Sequence, residues 1–159
     1  MKTLVMLAIV GALGYFGYGR LFAPKSIPDP VFAEIRVDIK STGREIEAAI
    51  FGKTSDTGDC HDRTEKVRSH LRANCPECQL KSSECKTTLA ARYAKFFDDQ
   101  PSHATYLSLN RSNPWERDVR LIFWGLTGSE GDTICEHMRQ MFLKIHSGPT
   151  RCIRGVASS

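Results

Sequence analysis

The chain has 159 residues, of which 41% are apolar and 25% charged, with 12 Gly and 7 Pro. That is the composition of one globular domain, and it excludes disordered, collagenous and polytopic membrane classes. The formal charge of +4 overstates the basicity of the body: Lys2 and Arg20 stand in the first 22 residues, which hold no acid, so the other 137 carry 20 bases against 18 acids. A nearly neutral body lacks the clustered cations that displace counterions from phosphates, and no nucleic-acid partner is expected.

Thr3 to Gly19 is an uncharged run of 17 residues between Lys2 and Arg20, which as a helix spans roughly 26 Å, enough to cross a bilayer core. Gly17-Tyr18-Gly19 is a poor small-x-small cleavage site, and Tyr15, Phe16 and Tyr18 crowd the far end where aromatic rings favour the headgroup layer. Residues 1–22 therefore read as an uncleaved transmembrane signal-anchor, with the lipid bilayer as partner through residues 3–19. Two signals disagree on its orientation. Arg20, Lys25, Arg36 and Lys40 follow the apolar run and only Lys2 precedes it, which by the positive-inside rule keeps the body in the cytoplasm. Six cysteines are an even, dense set suited to an oxidising compartment, and a two-residue head before the apolar run suits an export signal. The expectation is a single-pass inner (plasma) membrane protein with its C-terminal domain on the periplasmic or extracytoplasmic side.

Residues 23–30 (APKSIPDP) hold three prolines and predict an extended spacer. The soluble domain, residues 31–159, opens with Val31, Ala33, Ile35, Val37 and Ile39 alternating with charged residues, a strand with one wet face. Ser41-Thr42-Gly43 predicts a hairpin turn, and Ile46, Ala48 and Ile50 a second strand. Thr64, Val67, Leu71 and Cys75 share a helical face, with Asp59 or Cys60 near its start. A second helix is predicted from Ser82 or Ser83 to Asp98, with Cys85, Leu89, Tyr93, Phe96 and Phe97 on one stripe. Ala104–Asn110 and Arg117–Leu126 read as a strand pair, the second central because Leu121-Ile122-Phe123-Trp124 is apolar on both faces. Thr133 with Glu136 predicts the capping box of a last helix with Ile134, Met138, Met141, Phe142 and Ile145 on one face, stopped at Gly148-Pro149, and Arg151–Val156 a final strand. The order ββααββαβ gives an α+β domain with an antiparallel sheet of about five strands and three helices mainly on one face.

Cys75-Pro76-Glu77-Cys78 has the spacing of thiol-disulfide oxidoreductases, whose reactive Cys is activated at a helix N-terminus. Here the motif follows a helix, where carbonyls oppose a thiolate, so a structural disulfide is preferred and catalysis by Cys75 and Cys78 is the alternative. Cys60, Cys75, Cys78 and Cys85 would supply four thiolates to zinc if reduced, but only one pair has knuckle spacing, and no metal or other cofactor is expected. A helix from about His61 to Asn74 holds Cys60 roughly 22 Å from Cys75, so Cys60 pairs with Cys85 and Cys75 with Cys78. Cys135 pairs with Cys152, because about 16 Å of helix is retraced by the extended chain from His146.

Other signals point to no reaction. Gly52-Lys53-Thr54 lacks the Gly that a phosphate loop needs five positions earlier, and Asp56-Thr57-Gly58 follows a polar stretch and reads as a solvated turn. His61, His70, His103, His137 and His146 are scattered. Met138 and Met141 read as core packing. Arg63, Lys66, Arg68 and Arg72 are interleaved with Asp62 and Glu65, an ordinary solvated helix face. The functional expectation is a non-catalytic binding or accessory domain with another envelope protein as partner.

Overall fold

The structure, a computed structural model, describes residues 26–41 and 43–156; the anchor expected over residues 3–19 lies outside the described residues. Among the described residues no helix is long and apolar enough to cross a membrane.

Strands β1 (Val31–Ser41) and β2 (Arg44–Thr54) form an antiparallel hairpin in register from Val31 with Thr54 to Ser41 with Arg44. Gly43, at φ 83°, supplies the left-handed residue the tight connection needs. Helix α1 (Thr57–Asn74) follows, then β3 (Cys78–Lys86), a short helix α2 (Ala91–Ala94) continued by a 3-10 turn to Asp98, β4 (Tyr106–Leu109), β5 (Val119–Trp124), α3 (Gly128–Phe142) and β6 (Thr150–Ile153). All pairings are antiparallel, in the order β3-β1-β2-β5-β4-β6. β5 lies inside the sheet, as its two-sided apolar run implies.

The period of two sorts the side chains into two unlike faces. On one, Ile35, Val37 and Ala48 pack with Val67 and Leu71 of α1, and Leu107 and Leu109 pack with Cys135, Met138 and Phe142 of α3. On the other, Phe51, Tyr106 and Ile122 form an aromatic-rich core with Tyr93 and Phe96 of the α2 segment. The Phe51 and Tyr93 rings stack at 4.8 Å between centroids. Beyond this core the second face carries an ion-pair ladder, Arg36 to Glu34 and Glu47, Lys86 to Glu34 and Glu84, and Lys81 to Asp38.

The sheet has six strands where about five were expected, and the helices divide two to one between its faces. The difference is local to residues 78–98. The stretch predicted to start a helix at Ser82 or Ser83 instead pairs with β1 from Lys86 opposite Phe32 to Cys78 opposite Ile39, with an irregularity at Arg36/Val37. Completing the open ladder of β1 outweighs a helical stripe in which only Tyr93, Phe96 and Phe97 turn out helical or 3-10. Those rings face the opposite side from α1 because Phe51 and Tyr106 point there.

Two helix starts also differ. α1 begins at Thr57, with the Asp56 side chain accepting from the Asp59 amide, so Asp56-Thr57-Gly58 is an N-cap and no free turn. The capping box of α3 is Thr127 with Glu130, one turn and a half before Thr133 and Glu136. Gly125, at φ 82°, ends β5 and lets the chain enter the helix directly, and Glu136 is left to pair with Arg139. Met141 in the same helix and Ile145 in the turn beyond its end, both expected on the helix's buried face, are exposed; Cys135, Met138 and Phe142 make the inner face.

The most deeply buried charge on the second face is Arg120 of β5, which is 1% exposed. Its guanidinium donates to the carbonyls of Phe96 at 2.7 Å, Phe97 at 3.3 Å and Leu109 and Val119 at 3.0 Å, and to Asn110 Oδ1 at 2.8 Å. Asp99 Oδ1 lies 3.2 Å away and also accepts from the Ser108 hydroxyl. Burial pulls the Arg120 pKa below its usual value, with Asp99 acting against it. One side chain thus fastens the α2 segment to β4 and β5.

Candidate functional site

The first face is incompletely covered. α1 lies over β3, β1 and β2, α3 over β4 and β6, and the junction of β2 with β5 is left beneath a gap between the helices. The gap is a cleft of about 270 Å³, walled by Val67 of α1 and Phe142 of α3 and floored by Ile50, Gly52, Val119 and Leu121, with an almost wholly apolar lining. Its size is just under the roughly 300 Å³ at which small-molecule sites begin. Gly52 places no side chain on this floor, whose centre is otherwise made by β-branched and Leu side chains.

Two arginines stand at one end of the cleft. Arg63, on the first half of α1, and Arg117, just before β5, both line it. They share one carboxylate: Asp59 Oδ1 accepts from Arg63 Nε and Asp59 Oδ2 from Arg117 Nε, both at 2.7 Å. Burial would raise the Asp59 pKa, but these bonds and the Ser55 amide outweigh it and hold the carboxyl well below the usual range. Arg63 also donates to the Trp115 carbonyl, and Arg117 to those of Pro114 and Glu116, so the β4–β5 loop is tied to α1 at this end.

Glu116 ties the same loop to the turn after α3. It accepts from the amides of Ser112 and Ser147 and from both their hydroxyls, and His146 Nδ1 is 3.4 Å away. Burial pushes its pKa up, and the four donors overcompensate, bringing it down to about 2. Gly148 completes the turn against the Asn110 carbonyl, which a Cβ at this position would overlap.

The sheet register shows which chain segments meet here. Val31 pairs with Thr54, Gly52 with Val119, and Leu109 with both Val119 and Thr150. The start of β1, the start of α1, the β4–β5 loop and the end of α3 therefore share one end of the domain. Four of the exposed large apolar side chains belong to these segments: Trp115 (83% exposed), Ile145 (80%), Met141 and Leu143. Exposed apolar groups gathered next to an apolar cleft are the pattern of a binding surface.

The cysteines are all paired, Cys60 with Cys85, Cys75 with Cys78 and Cys135 with Cys152. These are the pairs the helix-length argument selects. Cys60–Cys85 binds the start of α1 to the edge strand β3, and Cys135–Cys152 binds α3 to the other edge strand, so both cleft walls are tethered to the sheet. Cys75 is the C-cap of α1, its amide donating to the Leu71 carbonyl, and Cys78 opens β3 beside Ile35 and Val37. The motif sits at the carbonyl end of its helix, the reverse of the arrangement that activates a redox thiol. The same two disulfides contain all four sulfurs of the alternative zinc set, Cys60, Cys75, Cys78 and Cys85. Of the histidines, His61, His70, His103 and His137 are exposed and dispersed; only His146 joins the cleft end, through the Asn110 carbonyl and Glu116.

Sequence reasoning placed Arg63 on a solvated helix face and assigned Asp59, Trp115, Glu116 and Arg117 nothing beyond a segment. Their convergence depends on β2 pairing with β5, and no local pattern announces that pairing. The one available signal was Trp115 in a loop, a large apolar residue where no core is expected. The chain matches no family model, no curated protein and no solved structure, so the site rests on its own geometry.

Proposed function

We propose that this chain is a non-catalytic binding or accessory domain of a cell-envelope complex, anchored by residues 3–19 in the inner membrane and exported, with its cleft end turned toward the bilayer. The carrying observation is the gathering of Trp115, Met141, Leu143 and Ile145 at the end where β1 begins. Eleven residues separate the end of the apolar run from Val31, so that end is the one the anchor holds near the lipid. Tryptophan favours such a position, because its ring suits the boundary between headgroups and acyl chains. Three disulfides in a domain of this size suit an oxidising compartment.

The test uses the full-length Trp124→Phe protein in vesicles containing lipids brominated along one acyl chain. Trp124 lies on the opposite face, over Arg36, and its removal leaves Trp115 as the only tryptophan. Bromine near the headgroup is expected to quench Trp115 strongly. Emission unchanged by any brominated lipid refutes the bilayer-facing orientation.

A further inference from the structure

We propose that the end of the domain opposite Trp115 binds an uncharged polysaccharide, one sugar ring of which lies on the indole of Trp124 beside the Asp132 carboxylate. The inference goes beyond the bilayer-facing reading and stands on a different set of residues.

β5 runs from Val119, on the floor of the apolar cleft, to Trp124 at the far end, where Gly125 turns the chain toward α3. A hollow of about 460 Å³ opens there between the end of β5, the start of α3 and the residues Gly155 and Val156. Small-molecule sites span roughly 300–1,000 Å³. A second hollow of about 480 Å³ adjoins it over the α2 segment, and Trp124 and His103 line both. The two form one groove with the indole and the imidazole at its middle, which suits a chain of linked units better than a single compact ligand.

Three features set the chemistry. Trp124 is held in place before any ligand arrives: Arg36 lies 5.4 Å from its ring centroid and is itself fixed by Glu34 and Glu47. An aromatic face of this kind receives the C–H face of a pyranose, and its fixed position lowers the cost of ordering on binding. Asp132 is an aimed acceptor. The buried Thr105 donates its hydroxyl to Asp132 Oδ1 at 2.7 Å and accepts from the Gly155 amide, while Oδ2, with the exposed Arg154 at 3.7 Å, stays open to a hydroxyl donor. The third feature is room. A Cβ at Gly128 would meet nothing within 4 Å, so the packing of the fold does not require glycine there.

Charge does not select the occupant, because the charges of the first hollow are already matched. Asp132 faces Arg154, and Arg36 behind the indole is spent on Glu34 and Glu47. Arg92 and Lys95 line only the second hollow and lie over the rings of Tyr93 and Phe96. The first hollow therefore asks for a neutral ligand with one apolar face and hydroxyl groups at its rim, the description of a sugar ring. A hydrocarbon chain would strip Asp132 of water and replace it with nothing. A phosphate would be set against the carboxylate.

The experiment uses the full-length Trp115→Phe protein in detergent micelles, in which Trp124 is the one remaining tryptophan. It is titrated with the β-1,4-linked tetramers of glucose, mannose and N-acetylglucosamine and with the acidic tetramer of galacturonate. The expected result is a saturable change in Trp124 emission with at least one neutral tetramer, at a dissociation constant of about 0.1–1 mM for an open groove. Gly128→Val, which fills the hollow, and Asp132→Asn, which keeps the Thr105 bond but removes an acceptor, should each weaken binding about tenfold. Trp124→Ala, followed by saturation-transfer NMR of the sugar, should abolish it; intact disulfides and an unchanged circular dichroism spectrum establish that each variant is folded. Emission that does not saturate with any neutral tetramer up to about 10 mM overturns the inference. Undiminished binding by Gly128→Val does so as well, since the ligand then sits elsewhere. A preference for the galacturonate tetramer that disappears in Arg92→Gln assigns binding to charge in the second hollow and overturns it too.

Discussion

Replacing Arg120 by Met should cost the domain about 3–5 kcal/mol, the range for removing one partner of a buried charged network. The magnitude follows from what stays behind. Four carbonyls, of Phe96, Phe97, Leu109 and Val119, lose a donor, as does the Asn110 amide oxygen, and Asp99 loses its cation. Each buried group left unpaired costs about 1–3 kcal/mol. Against this, removing a guanidinium that is 1% exposed relieves its own desolvation, and some carbonyls keep a ladder bond, so the sum falls well short of five full penalties. At roughly 3–5 °C per kcal/mol for a body of this size, the melting temperature should drop by about 10–20 °C. Arg120→Lys should fare little better, because an ammonium cannot reach Phe96, Leu109 and Asn110 at once. Urea melts monitored by circular dichroism give the free energy, and hydrogen exchange should show the amides of Lys95–Asp99 opening first. A Met variant within 1 kcal/mol of the parent, or a Lys variant equal to it, would refute the view that this side chain fastens the α2 segment to the sheet.

Replacing both Cys135 and Cys152 by Ala opens a loop of 17 residues and should cost on the order of 3 kcal/mol through the unfolded chain; a calorimetric melt unchanged from the parent sinks this. Glu116 supplies an acid-side dependence: its folded pKa of about 2 lies below its ordinary value of 4.5, so its contribution is complete above the unfolded value and fades as pH falls through the folded one. That contribution is on the order of 2 kcal/mol. Glu116→Gln should therefore be less stable than the parent at pH 7 and converge with it toward pH 2; parallel stability curves across that window refute the clamp.

What the sequence disclosed depended on whether a signal was local. β1 and β2 were legible because Ile35, Val37, Ala48 and their neighbours are apolar on one face and charged on the other. The end of α3 and the disulfide pairs were legible because helix rise converts residue counts into distances. β3 was not, since an edge strand wet on both sides, with Leu80 exposed, shows no alternation, and the aromatic stripe that follows at helical spacing invited a single long helix. The cleft was hidden for another reason. It forms where Gly52 meets Val119 and Ile50 meets Leu121, partners some 70 residues apart, and neither segment carries a mark of its neighbour. Arg120 read as one more base, because only the assembled sheet places it under Phe96 and Phe97.

The length of α1 bears on how the chain is oxidised. As the body emerges N-terminus first, Cys75 becomes available before Cys85, so an oxidase acting on the nascent chain meets Cys60 and Cys75 as its first pair. The finished helix keeps those two residues about 22 Å apart. Either α1 coils before Cys75 is captured, or the first bond formed is wrong and must be exchanged through Cys78 and Cys85. Oxidative folding of the chain would then draw on a disulfide isomerase in proportion to how slowly α1 forms, and substitutions in its exposed face that slow helix formation would lower the yield of correctly paired protein without touching the stability of the finished fold.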